Sequence, residues 1–390
     1  MTIFFMEWNS FGNEDIIENL ELMGHKVCRV PFSVDSIGQE KIEKLLLLES
    51  GKQACDFVFS FNYYPEISKA CEQLQWKYVS WVYDCPHMQV YSYTVVNECN
   101  YVFLFDYSMY RDLYDAGIRT VYYLPLAVNL PRMQRWDKRI LAEQNAESEI
   151  TFIGSLYSEE KHSLYDKFSS VPDYAKGYLD GLIQAQKNVQ GYNFLQELLT
   201  EDIVKEMQKV YPTNPKSESV LPSEAIYADY VLARQVTALE RKECLERLGR
   251  IAETRLYTYE KSVHICGVKN CGPCDYYDGM PAVIRTSKIN LNISLRSIKT
   301  GIPLRVLDIM GNGGFLLTNY QEEMTQYFEP WQDYVYYSDE DELVDLAEYY
   351  LTHEEERKRI AANGCQKVRR EFCYQVQLAK MLYIVEGDER

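Results

Sequence analysis

A βαβ pattern is clearest in residues 287–318, SKINLNISLRSIKTGIPLRVLDIMGNGGFLLT. Its first apolar run predicts a strand, and a loop then leads to a helix pattern that begins at Pro303. Proline suits a first helical turn because the N–H that it lacks would have no partner there. A glycine turn follows the helix, and a second apolar run ends at Thr318. Two strands joined through a helix predict a parallel sheet and a chain of the α/β class.

The same alternation of apolar runs and helix patterns fills the first 130 residues. Short apolar runs separated by amphipathic segments are typical of a doubly wound sheet covered by helices, so we expect a Rossmann-like domain at 1–148. The predicted strands are 2–6, 26–30, 56–60, 78–83, 101–105 and 120–124, and the predicted helices are 14–22, 39–49, 65–75 and 108–116.

A second Rossmann-like domain is predicted at 149–372, with a last helix at 373–390. Residues 158–250 are charged, patterned as helices and poor in strand signals, which indicates a helical insertion within the second domain. The other elements predicted for this domain are strands 150–154, 262–266, 289–294, 314–318 and 334–337, and helices 303–310, 340–351 and 354–372.

Composition excludes several classes of protein. The 390 residues carry 58 acidic and 41 basic side chains, and the net charge of −17 argues against a protein that coats nucleic acid. The start of the chain lacks a signal-peptide pattern, and no apolar run is long enough to span a membrane, so we expect a cytoplasmic protein. The 11 cysteines, several in apolar stretches, suit a reducing compartment.

The helix pattern after Gly301 carries the strongest candidate for a binding site. Free N–H groups at a helix start favour an anion such as a diphosphate, and Gly301 lets the backbone approach a ligand. Arg305 and Asp308 lie three residues apart and therefore on neighbouring turns of one helix face. The guanidinium could clamp phosphate while the carboxylate accepts ribose hydroxyls. The alternative is a structural ion pair between the two side chains.

A second, weaker candidate is the turn in ITFIGSLYSEEK, residues 150–161. The predicted strand ends at Gly154 and Ser155, and a turn from strand to helix can present N–H groups to a phosphate. It matches neither a Walker loop nor the GxGxxG pattern of a dinucleotide-binding dehydrogenase. A tight turn without any ligand is the alternative interpretation.

In the N-terminal domain, Asp84 and His87 come directly after the predicted strand 78–83. Polar groups just past a strand end of a doubly wound sheet lie where a ligand is expected, and either side chain could deprotonate an acceptor hydroxyl. Helix capping by Asp84 and a surface position for His87 form the alternative. The segments 9–12 and 62–64 follow neighbouring strands and could line the same site.

Two groups of residues resemble metal ligands, but neither has the expected context. His264, Cys266, Cys271 and Cys274 offer suitable side chains without the spacing of a zinc finger or ribbon. Asp339 and Asp341 form a DxD pair, although SDEDEL reads better as a helix N-cap with an acidic first turn. We therefore predict no metal site and no required cofactor.

The stretch 287–318, together with ITFIGSL at 150–156 and the segment 337–372, resembles bacterial glycosyltransferases of the GT-B fold. Within the glycosyl transferases group 1-like family, it looks most like the spore-maturation type. The resemblance implies two Rossmann-like domains that face a cleft, an acceptor held by the first and a nucleotide-sugar by the second. The last helix would cross back to the N-terminal domain.

The resemblance also implies roles for individual residues. Asp308 matches the carboxylate that grips the donor ribose, Gly154 and Ser155 match the phosphate-facing turn, and 263–267 falls where the family contacts the nucleobase. Related retaining enzymes carry two glutamates eight positions apart, and the first of them holds the donor sugar. Here these two positions are Thr300 and Asp308, so the carboxylate that would hold the sugar is missing from the first. The remaining donor-site candidates are Lys288, Arg296, Gly301, Arg305 and Gly313.

The predicted function is transfer of a hexosyl or N-acetylhexosaminyl group from a nucleotide-sugar, with a UDP-sugar as the first candidate, to a hydroxyl of a glycan or protein. Such a reaction needs cations and N–H groups on the leaving diphosphate, which Arg305 and a helix start could supply without a metal. If configuration is retained, the leaving phosphate can take the acceptor proton; if it inverts, Asp84 or His87 is the candidate base. The alternatives are an epimerase or hydrolase of the same fold, and a non-catalytic binding or scaffold protein.

Overall fold

The computed structural model describes residues 1–34, 37–140, 148–158, 163–213 and 219–387. Parts of the predicted insertion, 159–162 and 214–218, and the end of the last predicted helix, 388–390, lie outside the described residues. The chain divides into two compact units. The first unit comprises residues 1–129, 215–221 and 371–390, and the second comprises 130–214 and 222–370.

The first unit is built on a parallel six-stranded sheet with the order β2-β1-β3-β4-β5-β6. Strands β3 to β5 are buried along their whole length, as expected for apolar runs covered by helices on both faces. The strands are β1 (Thr2–Glu7), β2 (Lys26–Pro31), β3 (Phe57–Phe61), β4 (Tyr78–Val82), β5 (Asn100–Leu104) and β6 (Val121–Tyr123). The helices between them are α1 (Asn13–Leu22), α2 (Gln39–Ser50), α3 (Pro65–Leu74) and α4 (Tyr107–Asp115).

The C-terminal helix α15 (Tyr374–Gly387) also belongs to the first unit. Tyr374 opens the helix, and its ring packs edge-on against Trp81 with centroids 5.8 Å apart. Its hydroxyl lies 2.8 Å from that of Tyr83. At the other end of the helix, Lys77 donates a 2.6 Å hydrogen bond to the carbonyl of Val385. These contacts join α15 to both ends of β4.

The second unit contains another parallel six-stranded sheet, with the order β12-β11-β10-β7-β8-β9. Its central strands are apolar and buried, whereas the edge strand β9 is short and partly exposed. The strands are β7 (Ser148–Ile153), β8 (Thr254–Tyr257), β9 (Val268–Asn270), β10 (Ser287–Asn292), β11 (Leu316–Asn319) and β12 (Val335–Tyr337). Its covering helices are α5 (Leu130–Ile140), α10 (Gly279–Arg285), α11 (Leu304–Gly311), α12 (Glu322–Tyr327), α13 (Glu340–Thr352) and α14 (Glu354–Glu371).

The connection from β7 to β8 contains the predicted helical insertion. Its apolar side chains form a core of their own, centred on Phe168, Leu179 and Tyr227. One continuous helical segment includes a π-helical stretch at Tyr227–Leu232, which leads into the long helix that returns to the sheet. The insertion's helices are α6 (Asp173–Lys187), α7 (Glu201–Val210), α8 (Ser223–Ile226) and α9 (Ala233–Ile251).

Most predicted elements are confirmed within one or two residues, but the strand at 262–266 is wrong. That segment forms a loop between β8 and β9, where the Asn270 side chain donates to the carbonyls of Glu260 and Val263. Gly267 follows in the left-handed region, and a Cβ there would overlap the backbone of Gly249 on α9. The hydrogen bonds from Asn270 and the close approach of Gly267 to Gly249 keep residues 262–266 out of the sheet, although their apolar pattern is typical of a strand.

Candidate active site

The second sheet changes direction between β7 and β10. From β7 the chain builds β8 and β9 on one side, and then returns to build β10, β11 and β12 on the other. Ligands of doubly wound sheets bind beyond the carboxyl ends of the strands at such a switch point, because the two connections leave in opposite directions and open a crevice. Gly154 and Ser155 directly follow β7, and residues 293–303 follow β10. Two of the sequence-predicted turns therefore meet at the position expected for a ligand.

Arg241 on α9 forms hydrogen bonds with both of these turns, although no sequence pattern pointed to it. Its guanidinium donates to the Ser155 carbonyl after β7 and, at 3.2 Å from Nε, to the Ile293 carbonyl after β10. The side chain is 8% exposed, and burial lowers the pKa of the guanidinium. The insertion therefore contributes a buried cation directly behind the Gly154 turn. A fixed spacing in the sequence could not reveal it, since α9 is separated from both turns by many residues.

Helix α11 starts one residue later than predicted and carries the Arg305 and Asp308 pair. Pro303 is the N-cap in an extended conformation, so the first helical residue is Leu304. Asp308 is 1% exposed, and its Oδ2 lies 3.6 Å from Nη1 of Arg305. Nη1 of Arg305 also contacts the sulfur of Met280. Both side chains thus share one face of α11, and the ion pair considered as the alternative is present at a separation longer than a charge-assisted hydrogen bond.

Thr300 lies next to a carboxylate that comes from another element. Its hydroxyl donates a 2.7 Å hydrogen bond to Glu323 Oε1, and its carbonyl accepts a 3.2 Å hydrogen bond from the Glu323 amide. Glu323 is 1% exposed and stands in the first turn of α12, after β11. The loop after β10 therefore has a buried acid beside Thr300, although the sequence position itself carries none.

Arg296 has a structural environment that differs from the predicted one. Its guanidinium makes a bidentate ion pair with Glu240 of α9, with Nε and Nη2 each 3.0 Å from a carboxylate oxygen. It also donates to the carbonyls of Lys187 and Val189 at the end of α6. Only 7% of the side chain is exposed. We therefore correct its assignment from a diphosphate ligand to an internal ion pair that joins the insertion to the sheet.

Lys288 and Gly313 lie at the wrong edge of the sheet for a donor site. Lys288 is the second residue of β10, and Gly313 lies in the turn that precedes β11, so both mark the amino edge. They line a common cavity there with Arg285 and Lys358. Gly154, Thr300 and Gly301, by contrast, are at the carboxyl edge. Because strand length separates the two edges, Lys288 and Gly313 are removed from the candidate donor site.

The first sheet also has a switch point, between β1 and β3, and Asp84 lies one strand from it. Asn62 follows β3 with a φ of 61°, a left-handed conformation that asparagine tolerates. Its Oδ1 accepts from the amides of Tyr83 and Asp84, and its Nδ2 donates a 2.8 Å hydrogen bond to Asp84 Oδ2. Asn62 thereby fixes the exposed carboxylate of Asp84 at the end of β4.

His87 is buried rather than on the surface, and it is a weaker candidate for a base than Asp84. Its Nε2 lies 2.8 Å from the carbonyl and 3.1 Å from the amide of Tyr63. Burial lowers the pKa of His87, so the ring is neutral near pH 7. One ring nitrogen is therefore engaged by the backbone, which indicates that the ring stabilises the loops after β3 and β4.

The residues that resembled metal ligands have other environments. Within the described ranges, no group of three or more His, Cys, Asp or Glu side chains is arranged to hold a metal ion. Asp339 is the N-cap of α13 and accepts from the amides of Asp341 and Glu342, at 3.0 and 2.9 Å. The N-cap interpretation of SDEDEL is confirmed. The segment 263–267, expected near the nucleobase, lies in the loop between β8 and β9.

Comparisons with known proteins agree with this architecture. A family model described as glycosyl transferase-like matches residues 238–383, which contain α11 and most of the second sheet. No curated protein matches the chain. In the part of the chain that the structure describes, we find no helix with the length and apolarity that a membrane crossing requires.

Solved structures of low sequence identity share the fold. A UDP-forming α,α-trehalose-phosphate synthase from Burkholderia vietnamiensis matches with a TM-score of 0.56 and 8% identity, covering 99% of each chain. A glycosyltransferase from Rickettsia africae matches with a TM-score of 0.53 and 11% identity, covering 99% of this chain and 98% of that one. Anabaena Alr3699/HepE in complex with UDP-glucose matches with a TM-score of 0.51 and 10% identity over the whole of both chains. The predicted GT-B fold is confirmed.

Proposed function

We propose that this protein is a glycosyltransferase of the bacterial spore-maturation type that moves a hexosyl or N-acetylhexosaminyl group from a UDP-sugar to a hydroxyl of a glycan or protein. The observation that carries the proposal is the meeting of the Gly154 turn and the loop before α11 at the switch point of the second sheet. The match of the glycosyl transferase-like model to 238–383 supports the same assignment.

In this proposal the switch point holds the nucleoside diphosphate. The buried carboxylate of Asp308 accepts hydrogen bonds from the ribose hydroxyls, and Arg305 on the same helix face contacts the diphosphate. The Gly154 and Ser155 turn faces the phosphates, with the charge of Arg241 behind it. Glycine at 154 is favoured because a Cβ would lie 3.2 Å from the Phe152 ring.

Glu323 would replace the carboxylate that the Thr300 position lacks. It is held beside Thr300 by two hydrogen bonds, one to the side chain and one to the backbone. A carboxylate there can accept hydrogen bonds from hydroxyls of the donor sugar. We therefore propose that the sugar-binding acid of this chain comes from α12 instead of the loop before α11.

The chemistry follows from these positions. The acceptor oxygen forms a bond to the anomeric carbon while the bond from that carbon to the phosphate oxygen breaks. Arg305 and the N–H groups at the start of α11 stabilise the negative charge that develops on the leaving diphosphate, which is why no metal is required in this proposal. With retention, the leaving phosphate takes the acceptor proton; with inversion, the exposed carboxylate of Asp84 takes it.

The first test is nucleotide binding by the purified protein, followed by release of diphosphate from the corresponding sugar nucleotides. UDP should raise the thermal midpoint more than GDP, dTDP or CDP. Because a charged hydrogen bond contributes about 1.5–3 kcal/mol, Asp308→Ala and Arg305→Ala should each weaken UDP binding by about tenfold to a hundredfold. Glu323→Gln should mainly reduce binding of the UDP-sugar and leave that of UDP intact.

Arg250→Ala is the matched control, since Arg250 is an exposed arginine of α9 paired with Glu246. It should bind UDP like the parent. EDTA should leave turnover unchanged if no metal is needed. Binding of UDP without turnover of any UDP-sugar would favour the non-catalytic alternative, and the absence of nucleotide binding in the parent would refute the donor site.

A further inference from the structure

The turn after β7 contains a bulky residue in a backbone conformation that such residues rarely adopt. Tyr157 has a φ of 58°, in the left-handed region where a β-carbon crowds the backbone. It lies two residues after Ser155, at the switch point of the second sheet. Left-handed conformations of non-glycine residues cost free energy and persist only where neighbouring contacts hold them, and they cluster at functional sites.

Three other non-glycine residues share this conformation among the residues that the structure describes, and their positions differ from that of Tyr157. Asn62 follows β3, and asparagine tolerates a left-handed backbone. Gln75 ends α3 as its C-cap, a common use of this conformation. Trp331 lies in the turn before β12, at the amino edge of the second sheet. Of the four residues, Tyr157 is the one at the carboxyl edge of that sheet.

Contacts with Arg241 and Ser155 hold Tyr157 in place. The Arg241 guanidinium lies 4.9 Å from the centroid of the Tyr157 ring and 5.2 Å from that of the Phe152 ring. A guanidinium in contact with aromatic rings is attracted to their electron-rich faces, and the attraction is stronger where water is excluded. The Tyr157 amide donates a 3.0 Å hydrogen bond to Ser155 Oγ. The side chain and the backbone of Tyr157 are therefore both fixed.

This arrangement sets the direction of one peptide group in the turn. Arg241 donates to the carbonyl of Ser155 and also to that of Ile293 after β10. The Ser155 carbonyl and the Leu156 N–H belong to the same peptide group, and in a planar trans peptide they point in opposite directions. The Leu156 N–H therefore points away from Arg241. The Leu156 side chain is 3% exposed and packs in the core of the second unit, which anchors this peptide group.

We propose that Tyr157 is a positioning residue for the diphosphate of the donor, an inference that rests on the proposed function. Its left-handed backbone and its ring on Arg241 keep the turn in the conformation in which the Leu156 N–H donates to a phosphate oxygen. Backbone N–H groups in turns that contain a left-handed residue are suited to binding anions. Tyr157 acts through this peptide group and does not itself contact the nucleotide.

Tyr157→Gly is the informative variant, because glycine adopts a left-handed backbone without strain and lacks the ring. Relief of the strain and loss of the contact with Arg241 oppose each other, so the thermal midpoint should stay within about 4 °C of the parent value. In isothermal titration calorimetry of the full chain, UDP should bind about tenfold more weakly, since one hydrogen bond to a charged group is lost. Uridine, which has no phosphate, should bind as it does to the parent in ligand-observed NMR titrations.

Two further variants serve as controls. Tyr157→Phe keeps the ring and the backbone conformation, so it should bind UDP like the parent. Trp331→Gly removes the other aromatic residue with a left-handed backbone, which lies at the opposite edge of the same sheet. It should leave the affinities for UDP and uridine unchanged.

The outcomes separate this inference from the proposed function. Absence of UDP binding to the parent would refute the donor site, and this inference with it. If the parent binds UDP, the positioning role alone is overturned when Tyr157→Gly binds UDP equally well, or when its affinities for UDP and uridine fall together. An equal loss of UDP binding in Tyr157→Phe would show that the hydroxyl contacts the ligand directly, which also overturns the positioning role.

Discussion

The buried ion pair between Arg296 and Glu240 joins the helical insertion to the loop after β10, so we expect its removal to destabilise the second unit. The side chains are 7% and 2% exposed, and two hydrogen bonds of 3.0 Å join them. Replacing Arg296 with Met leaves Glu240 as a buried charge, which costs about 3–5 kcal/mol. At about 2–4 °C per kcal/mol for a unit of this size, the thermal midpoint should fall by about 6–20 °C.

Thermal and urea unfolding followed by circular dichroism would measure this loss. The double variant Arg296→Met with Glu240→Leu should recover part of it, since no buried charge is left without a partner. Lys205→Ala, which removes an exposed pair with Glu201, should change the free energy of unfolding by less than about 1 kcal/mol.

Nucleotide binding then distinguishes the two roles of Arg296. At a temperature where Arg296→Met is folded, its affinity for UDP should remain within a few-fold of the parent value. A variant with parent stability but a hundredfold loss of UDP binding would show that Arg296 contacts the diphosphate, and would refute the structural assignment.

Two further predictions concern stability. Burial lowers the pKa of His87 below 6.5, so as the pH falls the His87 ring binds a proton in the unfolded chain before it does so in the folded protein. The free energy of unfolding should therefore fall as the pH drops below about 6.5. Urea unfolding at pH 7.5 and 5.5 should show a smaller fall for the His87→Asn variant than for the parent protein. An equal fall in the two proteins would contradict the assigned burial. Gly267→Ala should cost about 2–4 kcal/mol of unfolding free energy, because a left-handed backbone and the nearby backbone of Gly249 both oppose a Cβ. Gly117→Ala is its control, with a φ of 96° but open space around the Cβ, and should lose only the cost of the backbone strain.

The fold was predictable because periodic apolar runs report burial directly. Strands such as β3 and β4 are continuous apolar segments, and the βαβ unit around Pro303 was located with its helix within one residue and its strands within two. The sequence could point to a candidate site residue only where it follows a strand, as Gly154 and Asp84 do, or lies on a predicted helix, as Asp308 does. Burial patterns do not show which side chains meet across the chain, so the contacts of Arg241 and Glu323 appeared only in the structure.

The errors have the same origin. Arg296 lies just past β10, where a residue that binds phosphate would be expected. Instead it forms an ion pair with Glu240 on α9 of the insertion. Lys288 has the positive charge that a phosphate site needs, but it lies at the amino end of β10, away from the proposed donor site. The position of a residue along a strand can be predicted from the sequence, whereas the interaction partner that a distant helix supplies cannot.

The contacts of α15 with β4 also bear on the order in which the chain can fold during its synthesis. The sheet of the first unit is complete in sequence at β6, which ends at Tyr123, yet the ring of Tyr374 that packs on Trp81 is made about 250 residues later. At about 5–20 residues per second, translation needs roughly 10–50 s to cover that interval. For that time Trp81 and its neighbours on β4 have no C-terminal helix to cover them. The first unit therefore completes its core only after the residues of α15 have been made, and until then this part of its sheet can contact other partners.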